Sequence, residues 1–162
     1  MDTSTKRYLP SDRESAFPNL TRDLYHVTSD ETEDYNCIAY AAGDTTRWWW
    51  PDPFGDYYWP ASASRAETLE CFVELYQIFG YQKCDHGEAE TGFEKVAIYA
   101  DPFGTSYTPI GMPTHAARQL GSGVWTSKLG EWEDIEHLTL ECLGGKSAYG
   151  RPSQFLKRRT VS

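Results

Sequence analysis

Four cysteines stand in the chain, and no two of them form a C-x-x-C pair. Cys37, Cys71, Cys84 and Cys142 are widely scattered, which gives no support to a zinc ribbon. Cys84 and His86 stand two apart before a glycine, but no second cluster completes a metal site there. No metal and no cofactor is therefore expected. No apolar run approaches the roughly 18 residues of a membrane-spanning helix. Residues 1–30 are polar and lack the apolar core of a secretory signal, so the expected compartment is the cytoplasm, with four reduced thiols. Basic residues are scarce: 15 Lys and Arg stand against 24 Asp and Glu, a net charge of -9. That balance argues against nucleic acid or an anionic membrane as a main partner. The tail Lys157-Arg158-Arg159 is too short to reverse it.

What the chain has in quantity is aromatic residues. Eleven Tyr and six Trp among 162 residues are incompatible with a disordered chain, and the length suits one domain with a core of its own. Residues 1–30 read as an irregular arm with Leu20, Leu24, Tyr25 and Val27 as anchors, and residues 31–162 as a single domain. Seven aromatic side chains crowd into Asp44–Pro60, where prolines and turn glycines forbid a long helix or a central strand. A loop that apolar must cover a core or line a cleft. Trp48, Trp49, Trp50 and Trp59 are candidates for an aromatic wall against a sugar or a peptide side chain, since ring faces stack on apolar surfaces. Folding of the loop over the core as a lid is the other reading.

Ser64-Arg65-Ala66-Glu67 fits a capping box, and Leu69, Phe72, Val73, Tyr76 and Phe79 follow at helical spacing up to Gly80. Strands are predicted at 94–100, at 114–120 and, after the turn Gly121-Ser122-Gly123, at 124–129. A short helix within 130–143 and a last edge strand at 152–157 complete the order. Helices first and an antiparallel meander after them make an α+β signature.

The chemistry is expected around Asp34–Gly43, a small-residue apolar run that reads as a short buried helix with Asp34 or Asn36 near its N-cap. Cys37 then sits in the first turn, where amide groups and the helix dipole favour a thiolate. The other reading of Cys37 is a small apolar residue packed in the core. His115 opens a strand between a Pro-Thr turn and two alanines, the second half of a Cys–His dyad in which the imidazole takes the thiol proton. A third polar group usually orients such a histidine. Asp134 and Glu133 are the chemically better candidates, since a carboxylate accepts from the ring N–H, and Asp134 is taken as the third residue. Ser127 or Lys128 on the partner strand are the others. Asn36 and Ser127 are further candidates for the substrate side, and Arg118 either pairs with an acid such as Glu133 or binds a substrate carboxylate. His137, among Glu133, Asp134 and Glu136, reads as a solvated, charge-paired histidine.

Three motifs carry a resemblance: Asn36-Cys37-Ile38-Ala39-Tyr40-Ala41, Thr114-His115-Ala116-Ala117-Arg118-Gln119 and Trp125-Thr126-Ser127-Lys128-Leu129-Gly130. In this order they resemble small papain-like-fold proteins, in particular the bacterial and phage relatives of the NlpC/P60 and CHAP cysteine peptidases. The resemblance implies N-terminal helices packed on a small antiparallel sheet, with Cys37 matching the nucleophile and His115 the base. It also implies a cysteine hydrolase of peptidase or amidase type acting on a peptide or a small amide or ester. Ile38-Ala39 stands where those families usually have a small residue such as Ser or Gly soon after the cysteine. The alternative expectation is a non-catalytic binding module, inhibitor- or antitoxin-like, whose acidity suits a basic protein partner.

Overall fold

The computed structural model describes residues 6–102, 111–146 and 148–160. Its elements run α1 (Ser11–Glu14), β1 (Tyr25–Ser29), α2 (Cys37–Ala41), α3 (Leu69–Ile78), β2 (Gln82–Cys84), β3 (Phe93–Ala100), β4 (Pro113–Gln119), β5 (Trp125–Lys128), β6 (Asp134–His137) and β7 (Arg151–Arg159). The seven strands form one sheet in the order β1-β6-β5-β4-β3-β7-β2, with every pairing antiparallel.

β3 shows why the sheet lies at the centre of the molecule. Its last six residues are buried, so both of its faces are covered. Val96 and Ile98 face one way and join Ala116, Leu156, α2, α3 and the aromatic loop in one core. Ala97 and Tyr99 face the other way and join Ala117, Trp125, Ile135, the N-terminal segment and residues 140–143 in a second core. This alternation is the period-two geometry of a strand, applied to a strand with no solvent face.

The expectation of a papain-like fold, with N-terminal helices packed on a small antiparallel sheet, is corrected by this architecture. The sheet dominates, and the three α-helices among the described residues are only four, five and ten residues long. Three local misreadings lie behind the difference. The arm is not irregular throughout, because Tyr25–Ser29 pairs with β6 at the sheet edge. The predicted helix in 130–143 is instead β6 followed by a 3-10 turn at Glu141–Leu143, with Ile135 and His137 on one strand face. The predicted last edge strand is longer and internal, lying between β3 and β2. Pro152 is tolerated there because it falls at the irregularity in the β3–β7 register, where the ladder is already interrupted.

The helix at Leu69–Ile78 is present, but Thr68 caps it rather than Ser64, its hydroxyl accepting from the Cys71 amide at 3.3 Å. α2 is capped by Asn36, whose Oδ1 accepts from the Ala39 and Trp49 amides at 3.2 and 3.1 Å. Asn36 Nδ2 donates to the Trp49 carbonyl at 2.8 Å, so one buried amide ties the helix start to the aromatic loop. No helix among the described residues is long and apolar enough to cross a membrane.

Asn36→Ala removes three hydrogen bonds and leaves the Trp49 amide and carbonyl buried without partners. A loss of about 2–4 kcal/mol is expected in urea unfolding. Asn36→Asp keeps the two acceptor contacts but sets an oxygen against the Trp49 carbonyl in a buried site, so it should not recover the wild-type midpoint. Equal stability of Asn36→Ala and wild type would show that the tie contributes nothing.

Candidate active site

Cys37 is the first residue of α2 and is 7% exposed. It lines a cavity of about 340 Å³ together with Asn36, Trp48, Trp50, Tyr57, Thr114, Gly130 and Tyr149. The aromatic loop therefore does both things expected of it. Trp49 and Trp59 are buried, Trp49 stacked on Phe79 and Trp59 tilted against Phe72. Trp48, Trp50 and Tyr57 form the cavity wall.

The strand register explains how the thiol reaches the sheet. β4 and β5 pair at Arg118↔Thr126 and Gln119↔Trp125, and continuing that register would set Ala116 opposite Lys128. The strands part before this point, and the freed Ala116 amide meets the Cys37 sulfur. The Ile38 and Cys37 amides also favour the thiolate. In a helix of five residues these individual N–H groups matter more than a macrodipole. Burial outweighs them, and the Cys37 thiol is pushed up to about 11. At neutral pH the group is a thiol.

His115 lies on β4 next to Ala116 but belongs to the other face, with Tyr99 opposite it in the register. It is fully buried. Its Nε2 is 2.9 Å from Ser127 Oγ, which is 2.7 Å from His137 Nε2, and His137 Nδ1 is 2.9 Å from the Thr139 carbonyl. Three consecutive strands thus carry one buried hydrogen-bonded chain. His115 Nδ1 has no hydrogen-bond partner among the described residues. The Tyr149 ring lies parallel to the His115 ring with centroids 4.1 Å apart, and Tyr149 also lines the cavity beside Cys37. Burial first and the nearby thiol second raise the Tyr149 phenol. Tyr149 is therefore common to the thiol and the imidazole, which share no hydrogen bond in the structure.

Burial lowers His115 well below its ordinary value, with a smaller contribution from His137. Burial likewise lowers His137 to about 4. Both rings are neutral near pH 7, and His137 is buried rather than solvated.

The remaining candidates separate. Asp134, expected to orient His115, instead accepts from Tyr35 OH at 2.7 Å and Ser29 Oγ at 2.5 Å on the α2 side of the sheet. Its place beside the imidazole is taken by Ser127, through a hydroxyl rather than a carboxylate. Glu133 pairs with Arg13 at 2.8 Å. Arg118 forms no ion pair among the described residues and lies over the Tyr40 ring at 5.1 Å, away from the cavity. Asn36 lines the cavity, but its amide oxygen accepts from the Ala39 and Trp49 N–H groups and its nitrogen donates to the Trp49 carbonyl. Lys128 is fully buried and donates to the Thr32, Gly130 and Trp132 carbonyls at 2.6–2.8 Å. Cys84 Sγ lies 3.6 Å from the His86 carbonyl, and no group of three or more metal-binding side chains occurs among the described residues.

Sequence reasoning missed Tyr149 and the part played by His137. Tyr149 carries no local signal, since it reaches the site from a loop far along the chain. His137 had one in the period-two pattern Ile135–His137, which sets it on the same face as Trp125 across the β5–β6 ladder.

A match to a protein-family model covers residues 26–157, and that family is described as a domain of unknown function, DUF7689. No curated protein and no solved structure matches the chain.

Two neutral buried histidines give stability a definite pH dependence. The unfolded chain protonates near pH 6.5 and the folded one only at lower pH, so the unfolded state binds more protons between these values. Stability is full above about 6.5 and falls as the pH drops toward 4, by on the order of 3 kcal/mol for His137 alone. Asp44, held at about 2 by the groups that donate to it, acts in a separate window below its usual 3.8. Urea midpoints at pH 7.5, 6 and 4.5 should decline in that order, and His137→Gln should flatten part of the decline. PH-independent midpoints over this range would contradict the neutral buried rings.

Proposed function

The chain belongs to the DUF7689 family, and we propose that it is a cysteine hydrolase that cleaves an amide or ester through an acyl-thioester on Cys37. The observation that carries this reading is a buried, unpartnered His115 Nδ1 on the residue next to the amide that meets the Cys37 sulfur. That lone pair is free to take a proton. His115 faces away from Cys37 across β4 and lies outside the cavity lining, so the two groups must close together when substrate is bound.

In the proposed reaction Cys37 Sγ attacks the acyl carbon while His115 Nδ1 takes the thiol proton. The tetrahedral intermediate then collapses, the bond to the leaving nitrogen or oxygen breaks, and His115 returns the proton to that atom. Water, losing its proton to His115, attacks the thioester and releases the carboxylic acid and the free thiol. The raised thiol and the lowered imidazole together support a neutral resting pair, deprotonated during attack rather than held as thiolate and imidazolium. Ala39 N–H is bound by Asn36 Oδ1 and Tyr40 N–H by the Asn36 carbonyl, whereas the Cys37 and Ile38 amides lie at the sulfur. These two amides are the supported donors to a developing oxyanion. The walls Trp48, Trp50, Tyr57 and Tyr149 favour an acyl group carrying a planar or apolar side chain.

The same thiol supports a second reading. A cysteine raised to about 11 suits the floor of a non-catalytic cleft that only binds an apolar group of a partner.

The test is incubation of native protein with p-nitrophenyl esters and peptide anilides bearing aromatic, aliphatic and charged acyl groups. Release is followed optically and adducts by intact mass. The hydrolase reading requires a transient acyl adduct on Cys37, its absence in Cys37→Ala, and about 10²- to 10⁴-fold slower acylation in His115→Ala. Saturable quenching of tryptophan fluorescence with no adduct from any ester would overturn it in favour of the binding reading.

A further inference from the structure

We propose that His137 fixes the tautomer of His115 through Ser127, and is thereby a positioning residue for the reaction at Cys37. The inference rests on the hydrolase reading for its catalytic half only. The direction of each hydrogen bond in the chain follows from its far end. The Thr139 carbonyl can only accept, so the proton of His137 is on Nδ1. A neutral His137 ring then presents a bare Nε2, which accepts the Ser127 hydroxyl proton at 2.7 Å. With its one proton committed, Ser127 Oγ accepts from His115 Nε2–H at 2.9 Å. The proton of His115 is thereby held on Nε2, and Nδ1 is left as a lone pair. All three side chains are fully buried, so bulk water does not compete for these bonds.

The chain is one-directional. If His137 loses its acceptor nitrogen, the Ser127 hydroxyl has no acceptor on that side and turns to donate to His115 Nε2. His115 then carries its proton on Nδ1, and the atom required as base is blocked by an N–H. No part of this touches substrate, which is why the role of His137 is positioning rather than catalysis.

The experiment combines ¹⁵N-histidine NMR of the full chain with the acylation assay. Wild type should show His115 as the Nε2–H tautomer. His137→Leu should convert it to Nδ1–H and slow acylation by about 10²- to 10⁴-fold, the range a general base contributes. His137→Gln retains an oxygen acceptor for Ser127 and an N–H donor for Thr139, so it should keep the Nε2–H form and act close to wild type. Ser127→Ala, a smaller change, is the second variant should the leucine not fold, and should populate both tautomers. An Nδ1–H tautomer in wild type overturns the inference, as does an unchanged His115 signal in both His137→Leu and Ser127→Ala. A swapped tautomer with undiminished acylation overturns the positioning role. The spectra need no turnover, so absence of acylation by wild type defeats the hydrolase reading while the tautomer result still decides whether His137 sets the ring.

Discussion

The side chain of Asn36 is the constraint on which the site depends. With one oxygen it closes the first turn of α2 and receives the Trp49 amide, and with its nitrogen it holds the Trp49 carbonyl. A helix of five residues has little stability of its own, because nucleation fixes several dihedrals for each early hydrogen bond. What holds α2 in place is tertiary packing, with Ile38 and Ala39 sealed against the sheet. Asn36 adds direction to that packing. It places Cys37 at the parting of β4 and β5, and it brings the aromatic loop alongside, so that Trp48 and Trp50 stand over the same thiol. Asp44 supports the arrangement from the loop side by accepting from the Trp49 indole at 2.9 Å.

Around this centre the protein buries polar groups on both faces of one sheet, and it treats the cations and the imidazoles differently. Lys128 has three carbonyl acceptors, and Lys95 has Glu90 at 2.6 Å together with the His86 carbonyl. Both ammonium groups are fully buried yet supplied with acceptors, the condition under which a charge is tolerated away from water. Among the described residues, His137 has only the Thr139 carbonyl, and His115 only the Ser127 hydroxyl. Neither contacts a carboxylate among the described residues, and desolvation is the first cause of the lowered values of both. The histidine chain is a neutral device, and it works through the positions of its protons rather than through charge.

Strands with strong alternation were legible in the sequence, and so was the core stripe of α3. Phe93–Ala100, Pro113–Gln119 and Trp125–Lys128 fall within a residue or two of the expected strands. The capping role allowed to Asn36 was legible as well, since Asn before an apolar run is a local signal. The architecture was not. Four-residue β6 is too short for its period to be told from a helical turn, and its cluster of acids read as a solvated helix face. The edge pairing of Tyr25–Ser29 with β6 spans more than a hundred residues, and no local pattern reports it. The site was half legible for the same reason. Cys37, Trp48 and Trp50 line one cavity, as local sequence suggested, but the partner of His115 depended on register. Asp134 sits on the wrong side of β6 to reach it, because moving one position along a strand turns a side chain to the opposite face.

That alternation also shapes the chemistry at Cys37. Ala116 and His115 are neighbours on β4, one facing α2 and the other facing the second core. The thiol meets β4 through a backbone amide instead of through a side chain on either face. Tyr149 is the side chain that touches both environments, stacked on the imidazole and exposed to the cavity. A thiol held neutral by burial and an imidazole held neutral by burial have no electrostatic reason to form an ion pair at rest. The energetic condition that favours transfer of the proton is the arrival of a group that stabilises sulfur as it bonds to carbon. A preformed thiolate would instead need a cation close to the sulfur. Lys128 exerts only a minor pull on it, and its ammonium is already committed to three carbonyls.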